Sequence, residues 1–149
     1  MKERDDDEIY HEMYVHLLWS TANQKSLITT SVAPHLYDYL CNSTLNEGCH
    51  LIGGSVFCDH IQLVIKFTPD TIFSDLITNL KVASLLWIRT NFPEIEGFEW
   101  QKSDFGFTVG VDEVGALIDR IKNAKLFKEE VFSILDQNEM KYDPLEVLE

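Results

Sequence analysis

The stretch CDHIQLVIKF, residues 58–67, predicts a β-strand whose two faces differ in character. Successive side chains of a strand point to opposite sides of a sheet, so every second residue shares a face. One face is apolar and is expected to pack into a core; it carries Ile61, Leu63, Ile65 and Phe67. The other face places His60 beside Gln62, with Val64 beyond them. The strand therefore supplies both a core face and a candidate site.

The segments on either side of this strand alternate between strand and helix periodicity. Apolar residues at every second position predict strands at 13–21 and 105–111, and the pair Gly53–Gly54 indicates a bulge in a strand over 49–57. Apolar residues at helical spacing predict the helices between them. The first helix is predicted to start at Thr30 or Ser31 and to stop at Gly48, and the second to start at Thr71 or Ser74 and to stop at Pro93. A third helix over 111–127 is predicted with Asp112 as its N-cap, and a short helix follows at 129–137.

This order of elements predicts an α+β domain of the ferredoxin-like, split β-α-β type. Its antiparallel sheet of four to five strands would carry both main helices on one face, with extra helices at the C-terminal end. The sheet face with His60 and Gln62 is then expected to stay uncovered and free to hold a site. The chain, 1–149, is predicted to be a single domain with an acidic tail at 1–12 and a C-terminal tail at 138–149.

The composition is that of a compact globular protein. Hydrophobic residues make up 45% of the 149 residues, which is enough for a core, and no apolar run is long enough to cross a membrane. The acidic, polar N-terminus does not have the pattern of a secretory signal. Three cysteines without CxxC spacing indicate free thiols in a reducing compartment, so we expect a cytoplasmic location.

Charge is distributed unevenly along the chain. The formal net charge is −13, and residues 1–12 and 129–149 contribute −4 and −6 of it. One basic stretch without acids lies at 120–128; it contains Arg120, Lys122, Lys125 and Lys128. These cations form either a solvated helix face or a set of phosphate contacts for a nucleic acid. Lys81 and Arg89, on the second predicted helix, would add to such a set.

Five segments carry a resemblance to a known family. They are YVHLLWSTANQKSLIT (14–29), IGGSVFCDHIQLVIKF (52–67), FSDLITNLKVASLLWIRTNFP (73–93), GFEWQKSDFGFTV (97–109) and KYDP (141–144). In this order and spacing they resemble the small single-tyrosine HUH transposases, the group that includes the REP-associated tyrosine transposases. The resemblance covers most of the chain. It implies DNA transposition, single-stranded or hairpin DNA as a partner, and a homodimer.

The resemblance also implies a site. In this family, two histidines flanking an apolar residue and a glutamine on the helix after the fourth strand hold Mg²⁺ or Mn²⁺. A tyrosine one turn before that glutamine attacks a DNA phosphodiester, while the metal polarises a phosphoryl oxygen. Position by position, His60 matches the first histidine and Gln62 stands at the second. Arg120 stands at the nucleophile and Ala124 at the helix glutamine.

Three of these four positions have lost the required chemistry. A guanidinium stays protonated and cannot attack, alanine has no ligand atom, and an amide is a neutral, weak ligand. No tyrosine lies between residues 105 and 130, and Asp59 is expected to point to the opposite face from His60. We therefore expect no catalytic residue and no cofactor, with His60, Gln62 and Ala124 left at the ligand positions.

Three functions are compatible with these residues. The first is a transposase-derived nucleic-acid-binding protein without catalytic activity. The second is a protein-interaction module on the same fold, without DNA binding. The third is an active, metal-dependent nuclease that nicks single-stranded DNA with an unusual site. Salt-dependent binding to hairpin or single-stranded DNA separates the first from the second, and metal-dependent nicking separates the third from both.

Overall fold

The computed structural model of the chain describes residues 10–124, 127–143 and 148. Within them, four strands form one antiparallel sheet in the order β2-β3-β1-β4. The strands are β1 (Met13–Ser20), β2 (His50–Val56), β3 (His60–Phe67) and β4 (Phe105–Val109). The helices are α1 (Ala33–Asn46), α2 (Phe73–Asn91), α3 (Val114–Ile121) and α4 (Phe127–Gln137). This order and pairing confirm the α+β, ferredoxin-like fold predicted from the sequence.

The main core lies between one face of the sheet and the helices α1 and α2. From the sheet it takes Val15, Leu17, Trp19, Ile61, Leu63 and Ile65, and from the helices Leu36, Leu40, Leu76, Leu80 and Ile88. The apolar face predicted for β3 is therefore the core face. Burial of each such side chain contributes about 1.5–3 kcal/mol relative to exposure, so this layer provides most of the driving force for folding.

The predicted bulge in β2 is present and brings the backbone of β2 close to β3. The pairing register with β3 shifts between Leu51 and Gly53. Gly54 has a φ of 139°, a conformation that favours glycine, and a Cβ atom there would collide with the carbonyl oxygen of Gln62. Gly53 in turn faces the side chain of Ile118, so the missing side chain at this position leaves room for α3.

The second face of the sheet is covered, contrary to the sequence-based expectation. Leu18 packs against Phe127, Val131 and Leu135 of α4, and Val64 packs against Leu117 and Ile121 of α3. His60 and Gln62 are 0% and 1% exposed as a result. The physical reason is that this face also carries large apolar residues, which α3 and α4 remove from water with apolar stripes of their own.

Several predicted boundaries differ from those in the structure. The predicted helix over 111–127 ends at Ile121, and Lys122 and Asn123 form a turn before α4 begins at Phe127. The strand predicted to reach Val111 ends at Val109, and Val111 is exposed. Tertiary contacts help to set helix boundaries, and Phe127 packs against Leu18 of β1 as the first residue of a separate helix.

The predicted stops of the first two helices are correct, but the predicted caps are not. Gly48 follows α1 with a φ of 78°, and Pro93 comes two residues after α2. At the start of α1 it is the Thr29 hydroxyl, rather than Thr30 or Ser31, that accepts a bond from the backbone N–H of Val32, at 3.3 Å. The N-cap residues of α2 and α3 are Ile72 and Glu113, and neither cap makes a side-chain bond.

Of the predicted tails, residues 1–9, 144–147 and 149 lie outside the described part of the chain. None of the helices in the described part has both the length and the apolar character that crossing a membrane requires.

Candidate functional site

Four elements bring polar side chains together beneath α4. His60 and Gln62 point from β3 toward α4, as the strand parity predicts. His16 lies on the neighbouring strand β1, opposite Val64, and so shares this sheet face with Gln62. Asp59 lies in the turn before β3, and Glu130 lies on the first turn of α4. The result is a buried polar cluster within a sheet face that is otherwise apolar.

A continuous chain of hydrogen bonds joins these side chains. His60 Nδ1 lies 2.7 Å from Asp59 Oδ1, and His60 Nε2 lies 3.1 Å from Gln62 Nε2. Gln62 Oε1 lies 2.9 Å from His16 Nε2, and Gln62 Nε2 donates to Glu130 Oε1 at 3.3 Å. The side-chain amide of Gln62 thus lies between the two imidazoles and contacts both.

The carboxylates of Asp59 and Glu130 determine which atoms of these hydrogen bonds carry the protons. A carboxylate only accepts, so the Gln62 atom facing Glu130 is the NH₂ group, and the same group donates its second proton to His60 Nε2. His60 must then carry its own proton on Nδ1, which it donates to Asp59. The remaining amide oxygen of Gln62 accepts from His16 Nε2–H. Every polar atom of the Gln62 side chain is therefore satisfied, which a buried amide requires.

Burial and hydrogen bonding set the protonation of the outer members of the chain. Burial lowers the pKa of His16 from 6.5 to about 4, although its bond to Gln62 raises it, so His16 is neutral at pH 7. Burial alone would raise the pKa of Asp59. Its contacts with the His60 ring and the backbone N–H of Phe127, 3.2 Å from Oδ2, lower that pKa below the ordinary value. Asp59 is therefore an anion that anchors both His60 and α4.

These residues do not fit the divalent metal that the family resemblance implies. A metal ion needs a free lone pair on each ligand, and the lone pair of His60 Nε2 accepts the N–H of Gln62. The amide oxygen of Gln62 faces His16, and Ala124 has no donor atom. In the described part of the chain, no group of three or more His, Cys, Asp or Glu side chains is placed to hold a metal.

A groove of about 900 Å³ opens beside this cluster, between β4, α3 and α4. His16 and Gln62 lie on its inner wall, and apolar side chains such as Phe107, Val109 and Ile134 line it further out. The charged residues lining it are four acids, Asp112, Glu113, Glu129 and Glu130, and one base, Arg120. None of the described lining residues is a tyrosine. Ala124 and Arg120, which the family resemblance places at the positions of the helix ligand and the nucleophile, both line this groove.

The bases of the 120–128 stretch do not all lie on one helix in the described structure. Lys122 is exposed and lies 3.7 Å from Asp119, whereas Lys128 is exposed on α4 rather than on α3. Lys125 lies outside the described residues. The third helix predicted over 111–127 would have carried most of this basic stretch, and this expectation is wrong because α3 ends at Ile121.

Lys81 and Arg89 lie on α2, across the sheet from α3. The Lys81 ammonium donates to the carbonyl of Gln101 at 2.7 Å and lies 3.4 Å from Asp104. The Arg89 guanidinium donates to the carbonyl of Phe98, at 3.0 Å from Nη2. Both side chains hold the loop that follows α2, and neither reaches the groove.

The sequence reasoning missed three members of the cluster: His16, Asp59 and Glu130. His16 could have been found from the sequence, because strand alternation in MYVHLLWS places it on the face opposite to Val15 and Leu17. In the sheet this is the face that also carries Gln62. Asp59 was expected to point away from His60, but it precedes the strand, and its carboxylate turns back to the imidazole. Glu130 had no signal in the sequence, because its place depends on how α4 docks.

The histidine-bearing strand β3 thus lies inside a ferredoxin-like sheet, with α4 packed over the face that carries His60 and Gln62. The family model described as IS200-like transposase matches residues 9–124, and the chain belongs to this family. This confirms the family predicted from the sequence.

Two of the similar proteins come from Deinococcus radiodurans. The ISDra2 transposase TnpA is 26% identical over 90 residues, which is 60% of this chain and 64% of that protein, so the match spans less than two thirds of its length. The crystal structure of a putative transposase from strain R1 is 25% identical with a TM-score of 0.65, covering 83% of this chain and 97% of the other. A REP-associated tyrosine transposase, solved bound to a REP hairpin, shares the fold at 15% identity with a TM-score of 0.54, over 81% of this chain and 70% of its own.

Proposed function

We propose that this chain is an IS200-like transposase-family protein that binds nucleic acid but no longer transfers DNA strands. One observation carries the loss of activity: the amide of Gln62 joins His60 to His16 by hydrogen bonds where the family resemblance places a metal. The lone pair that a metal would need on His60 is occupied, and the groove beside it offers no phenol among its described residues. A guanidinium has no nucleophilic atom that could carry the DNA end, so Arg120 cannot replace a tyrosine.

The loss of activity is expected to be complete, because the missing groups act as a unit. The nucleophile carries the DNA end, and the metal stabilises charge on the phosphoryl group. Groups that cooperate in this way have strongly non-additive effects, so the remaining His60 contributes little by itself.

The test is a labelled DNA hairpin incubated with the protein and Mg²⁺ or Mn²⁺ and run on a denaturing gel. We expect neither a nicked product nor a covalent adduct. A covalent band from the unmodified protein that disappears in His60→Ala would overturn the proposed loss of activity and support the active reading.

Retained nucleic-acid binding is supported by family membership and by the solved relative that is bound to a hairpin. Lys122 and Lys128 are exposed and available for phosphates, while the net charge of −13 opposes tight binding. Contact with three or four phosphates of a single strand gives a slope of log affinity against log salt of about −2 to −3.

The matched experiment compares two double variants in a DNA-binding titration at two salt concentrations. Lys122→Gln with Lys128→Gln should weaken binding and flatten the salt slope. Lys25→Gln with Lys102→Gln removes the same charge from other exposed positions, so it should weaken binding only by the small amount due to the change in net charge. Absence of DNA and RNA binding at low salt would overturn this part of the proposal.

The second candidate function is a protein-interaction module, and the acidic lining of the groove favours it. Four carboxylates against one guanidinium repel a phosphate backbone and attract a cationic partner. The two candidates therefore predict opposite responses to removal of the groove acids: nucleic-acid binding is strengthened, and protein binding is weakened.

A further inference from the structure

The groove between β4, α3 and α4 combines three properties that are independent of catalysis. Its volume, about 900 Å³, is at the upper end of what small-molecule pockets reach. Its wall is partly apolar, with Phe107, Val109 and Ile134. Its charged groups are Asp112 and Glu113 beside the start of α3, Glu129 and Glu130 on the first turn of α4, and Arg120.

One ring nitrogen of a residue that lines the groove indicates the chemistry of an occupant. His16 is 4% exposed and lines the groove, and its Nε2–H donates to Gln62. Its other ring nitrogen, Nδ1, is therefore an acceptor, and no hydrogen bond within the described part of the chain uses it. A neutral imidazole acceptor at the inner end of an acidic groove suits a donor that carries positive charge.

We infer that this groove docks a basic, amphipathic segment of a partner protein, whose arginine or lysine side chain donates to His16 Nδ1 while its apolar residues cover the groove wall. The inference rests on the second candidate function and names the partner's chemistry. The acids on α3 and α4 would pair with further cations of the segment.

Charge complementarity selects this occupant over a nucleic acid. A phosphate backbone would approach four carboxylates with a single guanidinium to offset them, at a cost that rises as the groove loses water. A basic segment finds opposite charge in the same places. Apolar residues on such a segment would also use Phe107 and Ile134, which a purely ionic partner would leave in water.

The test measures fluorescence anisotropy of a labelled peptide of alternating arginine and leucine, with a peptide of alternating glutamate and leucine as the control probe. We expect salt-sensitive binding of the basic peptide alone. Glu113→Gln with Glu129→Gln should weaken this binding by about 3- to 10-fold, since each exposed ion pair contributes modestly. Ala116→Trp, which fills the groove from an exposed position on α3 without changing charge, should abolish it.

The matched control is Glu94→Gln with Glu96→Gln, which removes the same charge from an exposed loop away from the groove and should change binding less than 2-fold by the same ion-pair reasoning. Equal weakening by both double variants would mean that the peptide binds the protein's overall negative charge, and would overturn the inference. The inference would also be overturned if Ala116→Trp abolished binding of a labelled DNA hairpin but left binding of the peptide unchanged. Neither result bears on the lack of covalent adducts, so the proposed loss of strand transfer is judged separately.

Discussion

At the scale of single residues, Gln62 determines what the candidate site has become. A histidine there would offer a second imidazole lone pair, but the amide offers a donor group and an acceptor group on opposite sides. The amide NH₂ donates to His60 and the amide oxygen accepts from His16. The second N–H of the amide donates to Glu130. The Gln62 side chain thus forms a hydrogen bond with each of these three neighbours, as buried polar groups require.

Gln62→Leu should destabilise the protein by about 2–4 kcal/mol, because it leaves buried donors and acceptors on His60 and His16 without partners at about 1–3 kcal/mol each. Chemical denaturation measures the change. Gln137→Leu is the matched control, since Gln137 is exposed on α4, and it should change stability by less than about 0.5 kcal/mol. A Gln62→Leu protein as stable as the parent would show that the hydrogen-bond chain does not stabilise the fold.

The stability of the folded protein should fall on acidification through the range set by His16. Its pKa is lowered from 6.5 to about 4, so the unfolded chain takes up a proton at a pH where the folded protein does not. Stability from this group is complete above pH 6.5 and decreases as the pH falls to about 4, by up to about 3 kcal/mol. Asp59, whose pKa is also lowered, contributes its own loss at more acidic pH, below the ordinary value of 3.8.

Urea denaturation at a series of pH values tests this, with His16→Gln as the comparison. The variant lacks the titrating group, so its stability should vary less between pH 6.5 and 4 than that of the parent. Parallel curves for the two proteins would exclude His16 as the source of the pH dependence.

At the scale of elements, α4 is the helix that converts a sheet face into an interior. Its first residue, Phe127, is fully buried against Leu18, and its ring centroid lies 5.5 Å from that of His60. Its backbone N–H donates to Asp59, and Glu130 one turn later accepts from Gln62. Apolar and polar contacts therefore fix the same helix, and the site is closed by the packing that stabilises it.

Phe127→Ala should cost about 3–5 kcal/mol, because it leaves a cavity over His60 and removes a large buried ring. Phe132→Ala provides the comparison on the same helix, since Phe132 is half-buried and stacks on Tyr142, and its loss should cost clearly less. Thermal or chemical denaturation of both variants measures the difference. Similar costs for the two changes would mean that α4 is not held against the sheet at its first turn.

At the scale of the whole molecule, a free sheet edge favours self-association and the net charge opposes it. β4 pairs with β1 on one side only within the described residues, and a free sheet edge invites pairing with a second copy. The family resemblance likewise implies a pair that shares a site. The charge of −13 opposes self-association at long range, most strongly at low ionic strength.

A homodimer is therefore predicted, with an affinity that increases as salt screens the acidic surfaces. Multi-angle light scattering at micromolar concentration, repeated at low and high salt, measures this. A monomer mass under every condition would contradict the prediction.

The sequence by itself determined the order of the elements, the ferredoxin-like fold, the core face of β3 and the family. The elements, the fold and the core face follow from periodicity, glycine positions and local spacing, which are properties of residues close together in the chain. His60 and Gln62 were also found in this way, since a strand places every second residue on one face. The family follows from the resemblance of five segments to known transposases.

Only the tertiary structure decided that this face is closed and that Gln62 bridges two imidazoles. His16 and Glu130 lie 46 and 68 residues from Gln62, and Asp59 meets Phe127 across 68. The division of the last helical stretch into α3 and α4 has the same origin, because Phe127 gains its burial from Leu18 on β1. Hydrogen bonds and apolar contacts form between groups that packing brings together, and no local pattern records which distant partner a side chain will meet.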